Sequence, residues 1–293
     1  MNRLLLMDGH AYAYRAFHAI SGLRSPDGRP TNAIFGFIKM FEKARDRVKP
    51  THVAVLWDGG LDEGRLESLP DYKGQRPEMP DDLEVQLDEI DAYLEAAGVL
   101  SVCHEGVEAD DLIATVAAQA SRLAWSVVIA TSDKDFMQLV SDRVQLLNPA
   151  DKDLRLWGED RVLEKTGVRP AQMVDWLSLV GDSVDNIRGV PGVGPKTAAK
   201  LLGEFGTIDR LYEGLDHVGP QRLKPVLEAA KDVVLRNRSL VTLKVNVPGA
   251  PEPGDCAPRQ ENRPRLGELA RGWGFRSMAE AYRPDRHEQE LLL

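Results

Sequence analysis

The sequence predicts an α/β fold with a mostly parallel central sheet flanked by helices, followed by a helical region. Three short runs rich in Val, Leu and Ile, at residues 3–7, 52–57 and 126–130, are each followed within three residues by an aspartate. Such runs are typical of strands buried on both faces. Helical patterns lie between the runs, and this alternation indicates a parallel sheet. After residue 158 the patterns are helical only.

The other elements are predicted from the same patterns. Strands are expected at 144–147 and 99–103, and helices at 31–48, 81–97, 109–123, 158–167, 170–180, 195–204, 207–213 and 219–240. Residues 59–80 are rich in Gly, Pro and charge and indicate an insertion over the sheet edge. Five prolines between 246 and 264 predict a linker or an extended arm. Residues 265–282 form a last helix or packed segment, and the tail from 284 is expected to fray.

Composition narrows the class of protein. Apolar residues make up 43% of the 293 residues, and no run approaches the roughly 18 apolar residues of a membrane span. Cys103 and Cys256 lack metal-type spacing, which disfavours a disulfide scaffold and favours a reducing cytoplasm. The net charge of −9 argues against nucleic acid unless the acidic residues are concentrated at one site.

Acidic residues stand where several predicted strands end. Asp8, Asp58 and Asp133 follow the three apolar runs, and ligands of open α/β sheets bind at the carboxyl ends of the strands. Any one of these residues could simply cap a helix or form a turn. Further acids flank the neighbouring helical patterns and complete a set of nine, which are Asp8, Asp58, Glu108, Asp110, Asp111, Asp133, Asp135, Asp182 and Asp185. Without these nine, the acidic and basic residues are equal in number.

Nine carboxylates at one sheet edge repel one another and need raised pKa values or bound cations. Mg²⁺ and Mn²⁺ prefer carboxylate and water oxygens as ligands. Two such ions roughly 3.5–4 Å apart favour in-line displacement at a phosphodiester, by activating a water and stabilising the leaving oxygen. His10 and His18 lie near the first strand, where packing or capping is the simpler role. The sequence therefore predicts a two-metal phosphodiesterase site.

A Gly-rich turn between two predicted helices indicates contact with a DNA backbone. Glycines allow close approach, N–H groups at a helix start face a phosphate, and lysines position a duplex without reading its sequence. The turn could also be a plain connector, and its spacing differs from that of a nucleotide phosphate loop. The residues expected at this interface are Gly189, Val190, Gly192, Gly194, Lys196, Thr197 and Lys200.

The insertion combines an aromatic side chain with cations. Tyr72, Lys73 and Arg76 suit a single strand that passes the site, through stacking and phosphate pairing. The alternative is an ordinary solvated loop. Arg15 and Arg65 are two further candidate phosphate ligands.

These motifs together resemble the 5′-nuclease domain of bacterial DNA polymerase I and the related phage and flap endonucleases. Five separated motifs agree in order and spacing over about residues 3–245, and 269–277 resembles the segment that closes that domain. The motifs are Leu-Met-Asp-Gly-His with Tyr-Arg-Ala-Phe-His-Ala (6–19), Tyr-Lys-Gly-Gln-Arg (72–76), Gly-Val-Glu-Ala-Asp-Asp-Leu-Ile-Ala (106–114), Thr-Ser-Asp-Lys-Asp-Phe-Met-Gln-Leu (131–139) and the acidic and Gly-rich stretch at 179–198.

The resemblance implies a PIN-like fold and metal-binding roles for all nine carboxylates. It implies that Lys73 and Arg76 are catalytic residues on a helical arch that gates the 5′ strand. It also implies that a helix-hairpin-helix motif at 189–202 grips duplex DNA, with a bound K⁺. The chain departs from the family pattern at Trp57, Gly64 and Arg188, and the first two departures leave the arch conformation and the substrate preference open.

The expected organisation follows from both lines of reasoning. Residues 1–157 form the catalytic core with the arch insertion at about 59–90, residues 158–245 the helical DNA-binding region, and residues 246–293 the Pro-rich linker and C-terminal segment. The expected protein is a monomeric, cytoplasmic, structure-specific 5′-nuclease at the nucleoid, acting on branched, nicked or 5′-ended DNA and RNA–DNA hybrids. The alternatives are a ribonuclease with a similar acidic site and a non-enzymatic junction-binding module.

Overall fold

The computed structural model describes residues 2–282, so the predicted fraying from 284 lies outside the described part. Its main sheet has the strands β1 (Arg3–Asp8), β2 (His52–Trp57), β3 (Leu100–Cys103), β4 (Ser126–Ala130), β5 (Val144–Leu147) and β6 (Leu156–Trp157). The spatial order is β3-β2-β1-β4-β5-β6, and only the short edge strand β6 is antiparallel to its neighbour. The chain leaves β1 in one direction and returns to β4 on the other side, so the strand order reverses between them. Such a switch point opens a crevice at the carboxyl ends of the strands.

Helices cover both faces of this sheet. They are α1 (Gly9–Ala19), α2 (Asn32–Val48), α4 (Asp81–Ala96) and α5 (Ala109–Arg122), while the short α3 (Glu63–Ser68) lies in the insertion. Side chains alternate along β1, so Leu4 and Leu6 pack toward α5 while Leu5 and Met7 pack toward α1, α2 and α4. Burial on both faces explains the continuous apolar runs, and the predicted mostly parallel sheet is confirmed.

The patterns predict no helix over residues 9–19, yet α1 lies there. The Asp8 carboxylate caps it by accepting a hydrogen bond of 3.0 Å from the Ala11 amide. Small buried residues such as Ala13 and Ala16 allow α1 to pack closely on α2. Helix α1 is therefore stabilised by its cap and by tertiary packing more than by a strong apolar pattern.

The second part is helical. It contains α6 (Glu159–Thr166), α7 (Met173–Val180), α8 (Pro195–Phe205), α9 (Ile208–Glu213), α10 (Leu223–Ala229) and α11 (Lys231–Val241). The last two helices, α12 (Arg263–Gly272) and α13 (Arg276–Ala281), pack on the core of the sheet domain. The two-residue strands β7 (Gly181–Asp182) and β8 (Ile187–Arg188) pair between α7 and α8. The single helix predicted over 219–240 is two helices, because the chain breaks at Ala230 with φ −93° and ψ 2°.

The Pro-rich stretch is an extended arm that packs on the first domain. Its Cys256 is fully buried, and the amides of Arg259 and Asn262 donate to the carbonyls of Gly98 and Ala96 at 2.8 and 2.7 Å. A side chain at Gly98 would collide with this arm, since an added Cβ would lie 2.3 Å from the Arg259 carbonyl oxygen. Of the two structures predicted for this stretch, the arm is therefore the one observed. Within residues 2–282, no helix has both the length and the apolar character of a membrane span.

Candidate active site

A cleft of about 680 Å³ opens at the switch point of the sheet. Asp8 ends β1 and Asp133 follows β4, so these two residues flank the point where the strand order reverses. The wall opposite the sheet comes from the β7–β8 turn of the helical part and from the insertion. Six of the predicted carboxylates line the cleft, namely Asp8, Asp58, Asp110, Asp133, Asp182 and Asp185.

Asp8 is fixed by its neighbours on both oxygens. Oδ1 accepts from the Ala11 amide, and Oδ2 accepts from the Thr131 hydroxyl at 3.0 Å. Burial raises the pKa of Asp8 to about 7 against the opposing hydrogen bond from Ala11, and repulsion from Asp58 and Asp133 adds to the rise. This carboxylate is therefore held in place at a position where its charge is unfavourable without a cation.

Three neighbouring carboxylates share that condition. Burial raises the pKa of Asp110 well above its ordinary value, and repulsion from Asp133 raises it further. Burial also raises the pKa of Asp133, while the hydrogen bond that its Oδ1 accepts from the Asp135 amide at 2.9 Å opposes the rise. The pKa of Asp135 is raised well above its usual range by burial and by Asp133. Bound cations would relieve this repulsion.

Asp135, Asp182 and Asp185 form the tightest carboxylate group in the described part of the chain. Each offers one oxygen, and the three oxygens lie within 4.8 Å of one another. Asp135 follows the sheet, whereas the other two stand on the β7–β8 turn, so the group joins the two parts of the chain. The Asp135 Oδ1 atom is buried and has no hydrogen-bond partner among the described residues. An unpartnered, buried carboxylate oxygen beside two further carboxylates fits a hard divalent cation.

Two cations already contact this group. The Lys134 Nζ atom lies 2.7 Å from Asp182 Oδ2, and an Arg76 nitrogen lies 2.7 Å from Asp185 Oδ1. Burial lowers the pKa of Lys134, but the bond to Asp182 more than offsets this, so the pKa is raised. Sequence reasoning missed Lys134, although its position between two predicted metal ligands, Asp133 and Asp135, was a usable signal.

Glu108 and Asp111 have protein partners instead of open oxygens. Arg65 donates to Glu108 at 2.9 Å and to both oxygens of Asp111 at 2.8 and 2.9 Å. Lys73 donates to Glu108 at 2.9 Å and lies 3.9 Å from Asp110. Burial lowers the pKa of Lys73, but Asp110 and Glu108 raise it more, so the ammonium form is favoured. Lys73 is thus a cation in the cleft wall.

The insertion, expected to form a helical arch, packs against the rest of the protein. It contains the short helix α3 and then turns over residues 69–76, where Lys73 and Arg76 lie. The turns pack down on the β7–β8 turn, since the Lys73 amide donates to the Asp185 carbonyl at 3.1 Å. Arg65 and Tyr72, predicted to contact DNA, are only 4% and 3% exposed. Their polar groups bond to carboxylates inside the protein, because those buried acids require compensating donors.

The remaining site residues lie nearer the surface. Arg15 is exposed on α1. Asp58 Oδ1 accepts from the Ala109 amide at 2.8 Å, and its own amide donates to His10 Nδ1 at 3.1 Å. His10 packs edge-on against the Trp57 ring with centroids 5.3 Å apart. Burial lowers the pKa of His10 in spite of Asp58, which favours the neutral imidazole at the edge of the cleft.

The predicted DNA-binding turn forms a helix-hairpin-helix between α7 and α8. Gly189 is required there, because an added Cβ would lie 2.1 Å from the Val180 carbonyl oxygen. Gly192 has a φ of 77°, a conformation that other residues rarely adopt. The side chains of Val190 and Val193 are buried beneath the turn. Gly192, Gly194, Lys196 and Lys200 are exposed, Gly189 and Thr197 are half-buried, and a hollow of about 280 Å³ lies beside Lys196 and Lys200.

Fold and site together define a two-part protein in which a resolvase-like α/β domain and a helical domain share one carboxylate-lined cleft. Residues 3–167 match the family described as 5′-3′ exonuclease, N-terminal resolvase-like domain. Residues 168–264 match 5′-3′ exonuclease, C-terminal SAM fold. The chain belongs to the 5′-3′ exonuclease family, and the resemblance read from the sequence is confirmed.

Individual relatives agree with this membership. The 5′-3′ exonuclease of Aquifex aeolicus is 38% identical over 237 residues, which cover 80% of this chain and 81% of the relative. DNA polymerase I of Bacillus subtilis is 36% identical over 290 residues, which cover 98% of this chain and 33% of the relative. The chain therefore spans about a third of the length of the DNA polymerase I relatives that it matches.

Solved structures share the fold at lower identity. T5 5′-exonuclease with bound divalent metal ions (zinc) superposes with a TM-score of 0.69 at 24% identity, covering 96% of this chain and all of that one. The catalytic core of Rad2 in complex with a DNA substrate superposes with a TM-score of 0.64 at 15% identity, covering 96% of this chain and 93% of that one. These likenesses confirm the predicted fold.

Proposed function

We propose that this chain is a structure-specific 5′-nuclease that hydrolyses phosphodiester bonds in flap, nicked or 5′-ended DNA with two divalent cations. The observation that carries the proposal is the group Asp135, Asp182 and Asp185, which offers converging oxygens and one orphaned buried oxygen atom. The family and the relatives named 5′-3′ exonuclease and DNA polymerase I support a phosphodiester of DNA as the substrate. DNA replication and repair, with removal of primers and flaps, is the process in which we place it.

The carboxylates divide between two cation positions in this proposal. Asp135, Asp182 and Asp185 would hold one Mg²⁺ or Mn²⁺, and Asp8, Asp58, Asp110 and Asp133 surround the space for the other. Bound there, the ions would supply an activated water and charge neutralisation at the scissile phosphate. The two groups meet at Asp133. Its Oδ1 accepts a hydrogen bond from the Asp135 amide, and its charge raises the pKa of both Asp110 and Asp135.

Cationic side chains of the insertion face the same space. Lys73 and Arg76 line the cleft beside Asp110 and Asp185, where they would meet the scissile phosphate. In this proposal they orient the scissile phosphate and stabilise its developing negative charge. Both are held by carboxylates in the structure, so the arrival of metal and DNA would exchange these partners for phosphate oxygens.

In this proposal the helix-hairpin-helix binds the DNA duplex. The amides at the start of α8 and the exposed Lys196 and Lys200 offer contacts to a phosphate backbone, and a K⁺ ion there belongs to the proposal. Phosphate contacts position a duplex without reading its sequence, so recognition by DNA structure is expected. We further propose that the protein acts as a monomer in the cytoplasm, at the nucleoid, and accepts RNA–DNA hybrids.

The test is incubation of 5′-labelled flap and nicked duplexes with the protein and Mg²⁺, followed by sizing of the products. Cleavage near the branch point, abolished by EDTA and by Asp135→Asn, is the expected result. Single-stranded RNA serves as the comparison substrate. Preferential cleavage of that RNA would favour a ribonuclease, and DNA binding without any cleavage in Mg²⁺ or Mn²⁺ would favour a junction-binding module.

A further inference from the structure

Arg65 has a buried guanidinium whose five N–H groups all have acceptors. Nε donates to the Leu240 carbonyl at 3.1 Å, and one Nη2 bond of 3.3 Å reaches the Thr242 carbonyl. The other three bonds, of 2.8 to 2.9 Å, reach the carboxylates of Glu108 and Asp111. A guanidinium with this set of partners has no donor left for a phosphate.

The acceptors of Arg65 come from two distant parts of the chain. Glu108 and Asp111 stand at the start of α5, in the sheet domain, whereas Leu240 and Thr242 lie at the end of α11, in the helical domain. The carbonyls at a helix end are unpaired and carry partial negative charge, which suits a cation there. Arg65 itself lies on α3 of the insertion. One side chain thus joins three segments.

Asp111 also bonds to more than one of these segments. Its two oxygens receive the paired bonds from Arg65, and Oδ1 also accepts from the Lys244 amide at 2.9 Å. Asp111 is 1% exposed and does not line the cleft. A second ion pair, Lys244 with Asp62, closes the outside of this junction. Both oxygens of Asp111 therefore have protein donors.

Glu108 transmits the position of Arg65 to the cleft. Its Oε2 accepts from Arg65 and from Lys73, both at 2.9 Å, and from the Tyr72 hydroxyl at 3.3 Å. Lys73 lines the cleft and lies 3.9 Å from Asp110. The contacts therefore run from the end of α11 through Arg65 and Glu108 to a cleft cation.

We propose that Arg65 and Asp111 form a positioning pair, in which Asp111 is a counter-ion and not a metal ligand, and in which Arg65 fixes the insertion, and with it Lys73, against both domains. The planar fork of arginine is needed, because lysine cannot place five donors on these acceptors. The proposal removes Asp111 from the predicted metal ligands, and Glu108, the other carboxylate outside both proposed cation positions, is the link to Lys73. Only its kinetic consequence rests on the nuclease function proposed above.

The first test counts bound metal ions. Mn²⁺ titration of the metal-free protein, followed by calorimetry or electron paramagnetic resonance, is compared for the wild type, Asp111→Asn and Asp135→Asn. Asp111→Asn keeps the wild-type number of ions, and Asp135→Asn loses one ion or binds it at least about tenfold more weakly. Loss of one ion in Asp111→Asn as well would overturn the assignment.

The second test follows the insertion by limited trypsin digestion. The Lys73–Gly74 bond is expected to be protected in the wild type, because the Lys73 side chain is only 3% exposed. Trypsin should cut this bond in Arg65→Gln at least about tenfold faster than in the wild type, because local opening exposes the bond. The rates are compared at a temperature at which circular dichroism shows that the variant is folded. The matched control is Arg155→Gln, which removes an exposed arginine paired with Asp151. Equal cleavage rates for the two variants would overturn the proposal.

A double variant covers the case in which Arg65→Gln does not fold. Replacing a buried ion pair by apolar residues is often neutral, so Arg65→Met with Asp111→Leu is expected to fold and to expose the same bond. Slow, wild-type-like digestion of this variant would also overturn the proposal. For the kinetic part, the single-turnover rate at saturating flap DNA should fall at least about tenfold in Arg65→Gln or the double variant, with the Kd for duplex DNA in Ca²⁺ unchanged. A change in Kd alone would contradict the positioning of Lys73. The results of the digestion and of the metal count do not depend on which substrate the protein cleaves.

Discussion

The Lys134 Nζ atom lies 2.7 Å from Asp182 Oδ2, so a lysine of the sheet domain holds a carboxylate of the helical domain. Asp182 belongs to the group whose three oxygens converge within 4.8 Å. In the structure the Lys134 ammonium thus neutralises part of the charge that a bound metal ion would neutralise. Metal binding at this group must compete with the ammonium, because both are attracted to the same carboxylate.

Removal of that competitor should strengthen metal binding. Lys134→Met is expected to increase the affinity of the metal-free protein for Mn²⁺ by about tenfold, a change equivalent to 1.4 kcal/mol. Calorimetric titration measures it. The matched control is Lys165→Met, which removes another lysine of the cleft whose ammonium lies over the Trp157 ring, 4.7 Å from its centroid. Weaker binding in Lys134→Met than in the control would show that the lysine orients Asp182 instead of competing.

Loss of a proposed metal ligand should stop catalysis and spare DNA binding. Asp135→Asn and Asp182→Asn are each expected to slow flap cleavage at least about 100-fold, because the cation that neutralises the transition state is lost. DNA affinity in Ca²⁺ should stay within about threefold, since phosphate contacts elsewhere supply most of it. Asp160→Asn, an exposed residue of the first turn of α6, is the control. Full cleavage by both site variants would refute the metal assignment.

Buried carboxylates should make the metal-free protein less stable as the pH rises. The pKa of Asp8 is raised from 3.8 to about 7, so protonation of this carboxylate stabilises the folded protein. This stabilisation is lost as the pH rises from about 3.8 to about 7. The shift corresponds to about 4 kcal/mol in the free energy of unfolding. Asp110, whose pKa is also raised by burial, adds to the effect.

The corresponding variant is Asp110→Asn, which keeps the shape and removes the charge. In EDTA its melting temperature should exceed that of the wild type at pH 8, by several degrees, and the difference should shrink at pH 4.5. Thermal denaturation at both pH values, with and without Mn²⁺, measures this. Excess Mn²⁺ should stabilise the wild type more than the variant. A variant that melts below the wild type at pH 8 in EDTA would argue against charge repulsion at this site.

The helix-hairpin-helix should contribute phosphate contacts. Lys196→Ala is expected to weaken duplex binding and to reduce the slope of log K against log salt by about one, because one phosphate contact is lost. Fluorescence anisotropy over a salt series in Ca²⁺ measures the slope. Lys39→Ala, on α2 and paired with Glu42, removes an equal charge from the sheet domain. An unchanged slope for Lys196→Ala would remove this residue from the interface.

Local patterns were enough to predict the sheet domain and the acids at its edge. A strand buried on both faces needs a continuous apolar run, and the carboxyl ends of parallel strands meet at one edge, so Asp8 and Asp133 could be placed together from the sequence. The Gly-rich spacing over residues 189–194 likewise marked the hairpin. These features depend on residues near one another in the chain.

The partners of the site's charged groups were decided only by the tertiary structure. Arg65 reaches the Leu240 carbonyl across 175 residues, and Lys134 reaches Asp182 across 48. No local periodicity records such a contact, because it depends on how two domains pack. For the same reason the sequence placed Arg65 and Tyr72 at the DNA surface, whereas folding buries them beside carboxylates that need their hydrogen bonds. Sequence thus determined which chemical groups the site contains, and packing determined which of them remain free to bind.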